Sequence, residues 1–315
     1  MSRPAVLEEP EARSLERKPL KRAVWFITLR CNMNCPYCHA AQVKDPLLRH
    51  PFEPPEKWIE GWARIDEPVQ IDITGGEPFL QPGFVEILES LDASKSVAVT
   101  TNLKGDLTRF VQRVSPEKCF SITASLHPSQ HMNVETFLGK ALLLKHRGFH
   151  VQVNFVAFPE QMWMVERFRD LMAVHGLPFH VDPYTPGPRY PYEPSGRERA
   201  FLDRWFPPGR DDPYATRSTR YLCDAGMNYF VVSPDGTVSP CVSRIYRGEF
   251  SMGNLFDHDF RLLEAPIRCS SRFCSGCDAD KTERVVLGED LSGRDEGLLG
   301  SCAARGEEED PGRPE

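Results

Sequence analysis

Ala23-Val24-Trp25-Phe26-Ile27-Thr28-Leu29-Arg30-Cys31-Asn32-Met33-Asn34-Cys35-Pro36-Tyr37-Cys38 is the stretch on which the reading of the whole chain turns. Ala23 to Leu29 is a short apolar run rich in aromatic and β-branched residues, the pattern of a buried strand. Three cysteines follow at once, spaced C-x3-C-x2-C. A loop at the C-terminal end of a strand is where a βα barrel places its chemistry. Iron-sulfur clusters take four thiolates, one per iron in a cubane, so a loop supplying three leaves one iron without a protein ligand. An open coordination site of that kind is what substrate chemistry needs. The competing reading of Cys31, Cys35 and Cys38 is a structural zinc, with His39 or a distant cysteine as fourth ligand.

Working outward, Trp58, Trp62 and Ile65 recur at helical spacing behind Pro54-Pro55, a helix start, and Val69 to Ile73 is the next strand. Thr74-Gly75-Gly76-Glu77-Pro78 begins where that strand ends. Two glycines let a ligand approach the backbone closely, and the Glu77 carboxylate or a nearby carbonyl can accept from an ammonium group. A tight strand-to-helix turn would read the same way. The alternation continues with helices near Phe84 to Leu91, Leu107 to Val114, Val134 to His146 and Glu160 to His175. Strands are expected at Val97 to Thr101, Cys119 to Ala124, Val151 to Ala157 and Phe179 to Tyr184. Gly148 and Gly176 sit where glycine relieves left-handed strain after a helix. Six such repeats predict α/β architecture, a partial (β/α)6 TIM barrel with a parallel sheet. Pro183 to Tyr214, rich in Pro, Gly, Tyr and Arg, reads as an irregular connection.

A second cysteine-rich module spans about Leu222 to Asp280. Asn228 to Val232 and Thr237 to Ser239 read as short strands around Pro234-Asp235-Gly236, a hairpin that brings Cys223 and Cys241 close together. Cys269, Cys274 and Cys277 follow. The Cys274-x2-Cys277 pair needs two more ligands to enclose a metal, and Cys223 with Cys241 supplies them. Zinc in a structural knuckle competes with a cluster here, and Cys269 is either a replacement ligand, a hydrogen-atom donor or a spare. Cys119 reads as a core residue and Cys302 as idle. The expected division is 1–22 leader, 23–190 barrel, 191–221 connection, 222–285 cysteine-rich module and 286–315 acidic tail.

Composition bounds the function. The net charge is −7, but Glu289 to Glu315 carries nine carboxylates against three arginines, so the body is near neutral and the tail too polar to fold. No basic stripe with interleaved aromatics points to nucleic acid. No apolar run long enough to cross a membrane and no export signal is present, so ten cysteines are expected as cytoplasmic thiols and ligands, not disulfides.

The paired motifs C-x3-C-x2-C and Gly-Gly-Glu-Pro, each behind its strand, resemble the radical SAM superfamily over Val24 to about Tyr184. The resemblance implies a [4Fe-4S] cluster on Cys31, Cys35 and Cys38 whose open iron is chelated by the methionine end of S-adenosylmethionine (SAM). Gly75, Gly76, Glu77 and Pro78 would hold that methionine, the backbone at Tyr37 would meet the adenine, and Asn102 and Ser125 stand where the family often places SAM contacts. A helix-cap or turn role competes for the last two. Where related peptide-modifying enzymes read Ser-Leu-Asp-Gly, this chain reads Ser125-Leu126-His127-Pro128. The C-terminal module is similar to the twitch form of the SPASM domain, including the glycine five residues before Cys241, which implies a second, auxiliary [4Fe-4S] cluster on Cys223, Cys241, Cys274 and Cys277.

The activity implied is reductive cleavage of SAM to a 5′-deoxyadenosyl radical that takes hydrogen from a small-molecule or peptide substrate. An electron donor such as flavodoxin or ferredoxin would serve it, and the auxiliary cluster would either accept the substrate's leftover electron or bind substrate directly. Two other functions fit the same residues: an epimerase in which a thiol returns hydrogen, and a non-catalytic iron-sulfur or zinc module. His127, His131, Asp182, Tyr184 and Arg189 lie near predicted strand ends as substrate-contact candidates, whereas Trp163 and Met164 read as helix packing.

Overall fold

The computed structural model describes residues 17–38, 49–184, 192–206, 221–246, 250–269 and 281–286. Strands β1 (Lys21–Thr28), β2 (Val69–Gly75), β3 (Lys95–Thr101), β4 (Cys119–Leu126), β5 (Val151–Ala157) and β6 (Phe179–Pro183) pair in sequence order, each parallel to the last. Between them run α1 (Pro55–Ala63), α2 (Phe84–Ser90), α3 (Thr108–Arg113), α4 (Val134–His146) and α5 (Val165–Val174). The strands and helices form a partial TIM barrel, as the alternation predicts.

Residue alternation separates the two faces of this sheet. Val69, Ile71, Ile73, Val97, Val99, Val153 and Phe155 are buried in the main core. Their neighbours Gln70, Asp72, Thr74, Thr100, Thr123, Gln152 and Asn154 are only partly buried and share the opposite face, because successive side chains on a strand point opposite ways. A parallel sheet covered on both faces reads as continuous apolar runs; here one face is polar and only partly buried. Trp25 of β1 packs against Trp58 and Trp62 of α1 with ring centroids 4.9 and 5.2 Å apart, which fixes the strand that carries the cysteine loop.

The segment expected as irregular contains a helix, α6 (Gly196–Trp205). Ser195 and Glu198 form a reciprocal capping box, and Phe201, Leu202 and Trp205 pack on the barrel core. The helix expected to open at Glu160 instead begins with a 3-10 turn, Met162–Met164, that leaves Trp163 and Met164 exposed rather than packed inside.

The C-terminal hairpin, β8 (Tyr229–Val232) and β9 (Thr237–Ser239), lies where expected, but it is not a free-standing unit. Strand β8 pairs parallel with β1, so one nine-stranded sheet runs β10-β9-β8-β1-β2-β3-β4-β5-β6, with β10 at Gly253–Asn254. A second small sheet joins β7 (Tyr221–Cys223), β11 (Ile267–Cys269) and β12 (Arg284–Val286), and α7 (Val242–Tyr246) follows Cys241.

Candidate functional site

The loop after β1 carries Cys31, exposed, Cys35, buried, and Cys38, half-buried, all free thiols. Its base is clamped to the next strand. The Gly76 amide donates to Thr28 O (2.7 Å) and the Glu77 amide to Arg30 O (2.9 Å). Both glycines are required by this approach: Gly75 has φ +119°, and a Cβ on Gly76 would sit 2.0 Å from Arg30 O. The Gly-Gly pair therefore sets the height of the cysteine loop above the sheet. Burial pushes the Cys35 thiol up to about 11, so deprotonation there needs a cation to offset it.

Glu77 is fully buried and points inward. Its oxygens accept from Thr101 Oγ1 (2.8 Å), the Asn102 amide (2.8 Å) and the Phe79 amide (3.2 Å). Burial raises its pKa while those donors act the other way. Through these bonds Glu77 ties the ends of β2 and β3 together. Pro78 opens the 3-10 turn Pro78–Leu80 that Glu77 caps. Asn102 is buried, and its side-chain amide faces the cysteine loop: Nδ2 donates to Asn32 Oδ1 (2.7 Å) and lies 3.9 Å from Cys31 Sγ.

Tyr37 and His127 form a pair that spacing did not reveal. The Tyr37 hydroxyl and His127 Nδ1 share a 2.8 Å hydrogen bond, and the Tyr37 ring packs tilted against Phe158 at 4.9 Å. Burial holds His127 down at about 4, hence neutral near pH 7. The Ser-Leu-His-Pro departure thus places a ring under the cysteine loop, and Tyr184 packs on the far side of Phe158. Ser125 is buried on β4 in register with Asn154, whose Nδ2 donates to Asp182 (2.7 Å). His131 is exposed, and Arg189 lies outside the described residues.

Cys223, buried with its thiol raised to about 12, packs with Cys241 and Cys269 in one small apolar cluster. Cys269, read as most simply a spare, is therefore beside the auxiliary thiols; Cys274, Cys277 and Cys302 lie outside the described residues. Val24 and Phe26 of β1 belong to the same cluster, so the strand that ends at the first cysteine loop also forms a wall of the second site. Cys119 is fully buried on β4, as expected of a core residue.

Soft thiolates on one loop, beside a glycine pair whose backbone a ligand can approach, suit a cubane with one open iron. The family model of the radical SAM superfamily matches residues 25–172, and that of the SPASM iron-sulfur cluster-binding domain matches 223–278. The antilisterial bacteriocin subtilosin biosynthesis protein AlbA of Bacillus subtilis is 27% identical over 295 residues, 82% of this chain and 64% of AlbA. SuiB of Streptococcus suis, solved with SAM bound, superposes with TM-score 0.57 at 16% identity over 76% of this chain and 64% of SuiB. The tagged anSMEcpe with bound AdoMet gives 0.54 at 16%, covering 76% of each chain. The chain thus spans under two thirds of AlbA and of SuiB.

Proposed function

Since the chain belongs to the radical SAM superfamily and carries a SPASM iron-sulfur cluster-binding domain, we propose that it is an enzyme that cleaves SAM reductively and abstracts hydrogen from a peptide or small-molecule substrate. Its cofactors are a [4Fe-4S] cluster with SAM in the barrel and an auxiliary iron-sulfur centre in the C-terminal domain. When bound, that pairing supplies a 5′-deoxyadenosyl radical able to attack an unactivated C–H bond.

The protein's own contribution is placement. Cys31, Cys35 and Cys38 would hold the first cluster. The carbonyls around Gly75 and Gly76 receive the methionine ammonium, with Glu77 and Pro78 shaping the turn from behind. Tyr37, braced by His127, offers the adenine its backbone, and Ser125 and Asn102 stand at the ends of neighbouring strands. The barrel walls exclude water and aim the reacting carbon. Cys223 and Cys241, with Cys274 and Cys277, would hold the auxiliary centre, which would supply a one-electron acceptor for a net oxidation.

A peptide is the favoured substrate, because AlbA is a bacteriocin biosynthesis protein and SuiB has been solved with its precursor peptide SuiA. Flavodoxin or ferredoxin is the electron donor in this reading. No helix among the described residues is long and apolar enough to cross a membrane; thiolate ligands that must stay reduced favour a cytoplasmic setting. Residues 23–190 then act as the barrel and 222–285 as the auxiliary-cluster domain.

Three cysteines on one short loop whose base is clamped to the Gly76 and Glu77 amides carry this reading. Anaerobically reconstituted protein given SAM and dithionite should form 5′-deoxyadenosine, and Cys31→Ala should not. Iron- and sulfide-loaded wild type that forms none would sink the proposal.

A further inference from the structure

We propose that Asn102 is a positioning residue that donates an N–H···S hydrogen bond to the Cys31 thiolate and so raises the reduction potential of the cluster held there. This rests on the reading of Cys31 as a cluster ligand.

The orientation of the Asn102 amide is set by its own turn. Its Oδ1 accepts from the Lys104 backbone amide at 2.9 Å, which leaves the Nδ2 end facing the cysteine loop. That nitrogen carries two hydrogens. One is used at Asn32 Oδ1, 2.7 Å away; the other is available to Cys31 Sγ at 3.9 Å, within reach for a sulfur acceptor. Asn102 is buried, which shields the donor from water, while the sulfur that faces it is on an exposed residue.

The turn that holds this amide is over-determined. Leu103, buried and not a glycine, has φ +57°, in the left-handed region. Its amide donates to Thr101 Oγ1 (3.1 Å), and the Asn102 amide is fixed on Glu77 Oε2 (2.8 Å). From the other side, Lys140 Nζ of α4 donates to the carbonyls of Leu103 (2.9 Å), Gly105 (2.6 Å) and Lys104 (3.4 Å). A strained non-glycine conformation persists only when its surroundings enforce it, and such positions gather at functional sites. Here the product of that enforcement is an amide N–H aimed at a ligand sulfur. Hydrogen bonds to cluster sulfurs favour the reduced, more electron-rich state and are among the levers that set cluster potentials.

The test is an anaerobic potentiometric titration of the reconstituted full chain, following by EPR the cluster signal that added SAM perturbs. Asn102→Leu should lower the midpoint by about 59 mV, a tenfold loss in the reduction equilibrium constant for a one-electron couple. An unchanged midpoint at wild-type iron content overturns the proposal. If Asn102→Leu does not take up iron, Asn32→Ala decides: freeing the second N–H for the sulfur should raise the midpoint, and a wild-type value overturns the idea. Wild type that binds no iron, or whose signal ignores SAM, overturns the cluster reading as well, and does so before any potential is measured.

Discussion

Gly76 is the residue on which the first site is most tightly closed. Its missing side chain is what lets Arg30 O come within hydrogen-bond reach of the Glu77 amide, one residue before Cys31. Gly76→Ala should therefore displace the cysteine loop: iron bound at the first site and 5′-deoxyadenosine formation fall together, while the melting temperature changes little. An alanine variant with wild-type iron and turnover would show that the close approach is dispensable. Cys119 marks the opposite extreme. It is fully buried, and burial pushes its thiol up to about 12, far above working pH, so almost no thiolate forms in the native state. Folded protein treated with iodoacetamide at pH 8 should keep Cys119 unmodified by mass spectrometry, and unfolded protein should not; labelling in the folded state would contradict the burial.

At the scale of the element, the six strands and five intervening helices follow from local signals. Pro54-Pro55 starts α1, the positive φ of Gly148 and Gly176 follows α4 and α5, and alternating burial defines each strand. Helix α6 was masked by the Pro and Arg content around it, although Ser195-x-x-Glu198 is a capping box in plain view. Ser195→Ala should cost about 1 kcal/mol, seen as a lower melting temperature and faster proteolysis near α6; unchanged proteolysis would mean the box is redundant. The site was legible where motif and strand end coincide, as at Cys31 to Cys38 and Gly75-Gly76. It was not legible where partners are distant in sequence. Spacing offers either the Glu77 carboxylate or a nearby carbonyl as an acceptor, but it does not tell that Glu77 bonds to Thr101 and the Asn102 amide on the next strand. His127 reads as a substrate-contact candidate, and only the folded chain brings it to Tyr37, ninety residues away.

Across the whole molecule, Asn228 joins the two halves. Its Oδ1 accepts from the Lys18 amide (2.8 Å) and from the buried Lys21 ammonium (3.2 Å), its carbonyl accepts from the Arg22 amide (2.8 Å), and its Nδ2 donates to Asp224 (3.1 Å). Burial already lowers the Lys21 pKa, so the ammonium depends on such partners. Asn228→Leu should destabilise by about 1–3 kcal/mol, the cost of leaving a buried donor unmet. The loss should appear as a broader or split thermal transition as the C-terminal hairpin loosens from β1. A single transition at the wild-type temperature would place the joint elsewhere.

The pairing of β1 with β8 has a consequence in time. Two strands about two hundred residues apart must meet, and parallel pairings of such long range form slowly because loop closure precedes their reward. During synthesis at roughly 5–20 residues per second, the first strand waits about ten to forty seconds for its neighbour. Throughout that interval one edge of the nascent barrel is bare and able to pair with another chain. The strand leading to the cysteine loop is thus left with one edge unpaired until β8 has been made.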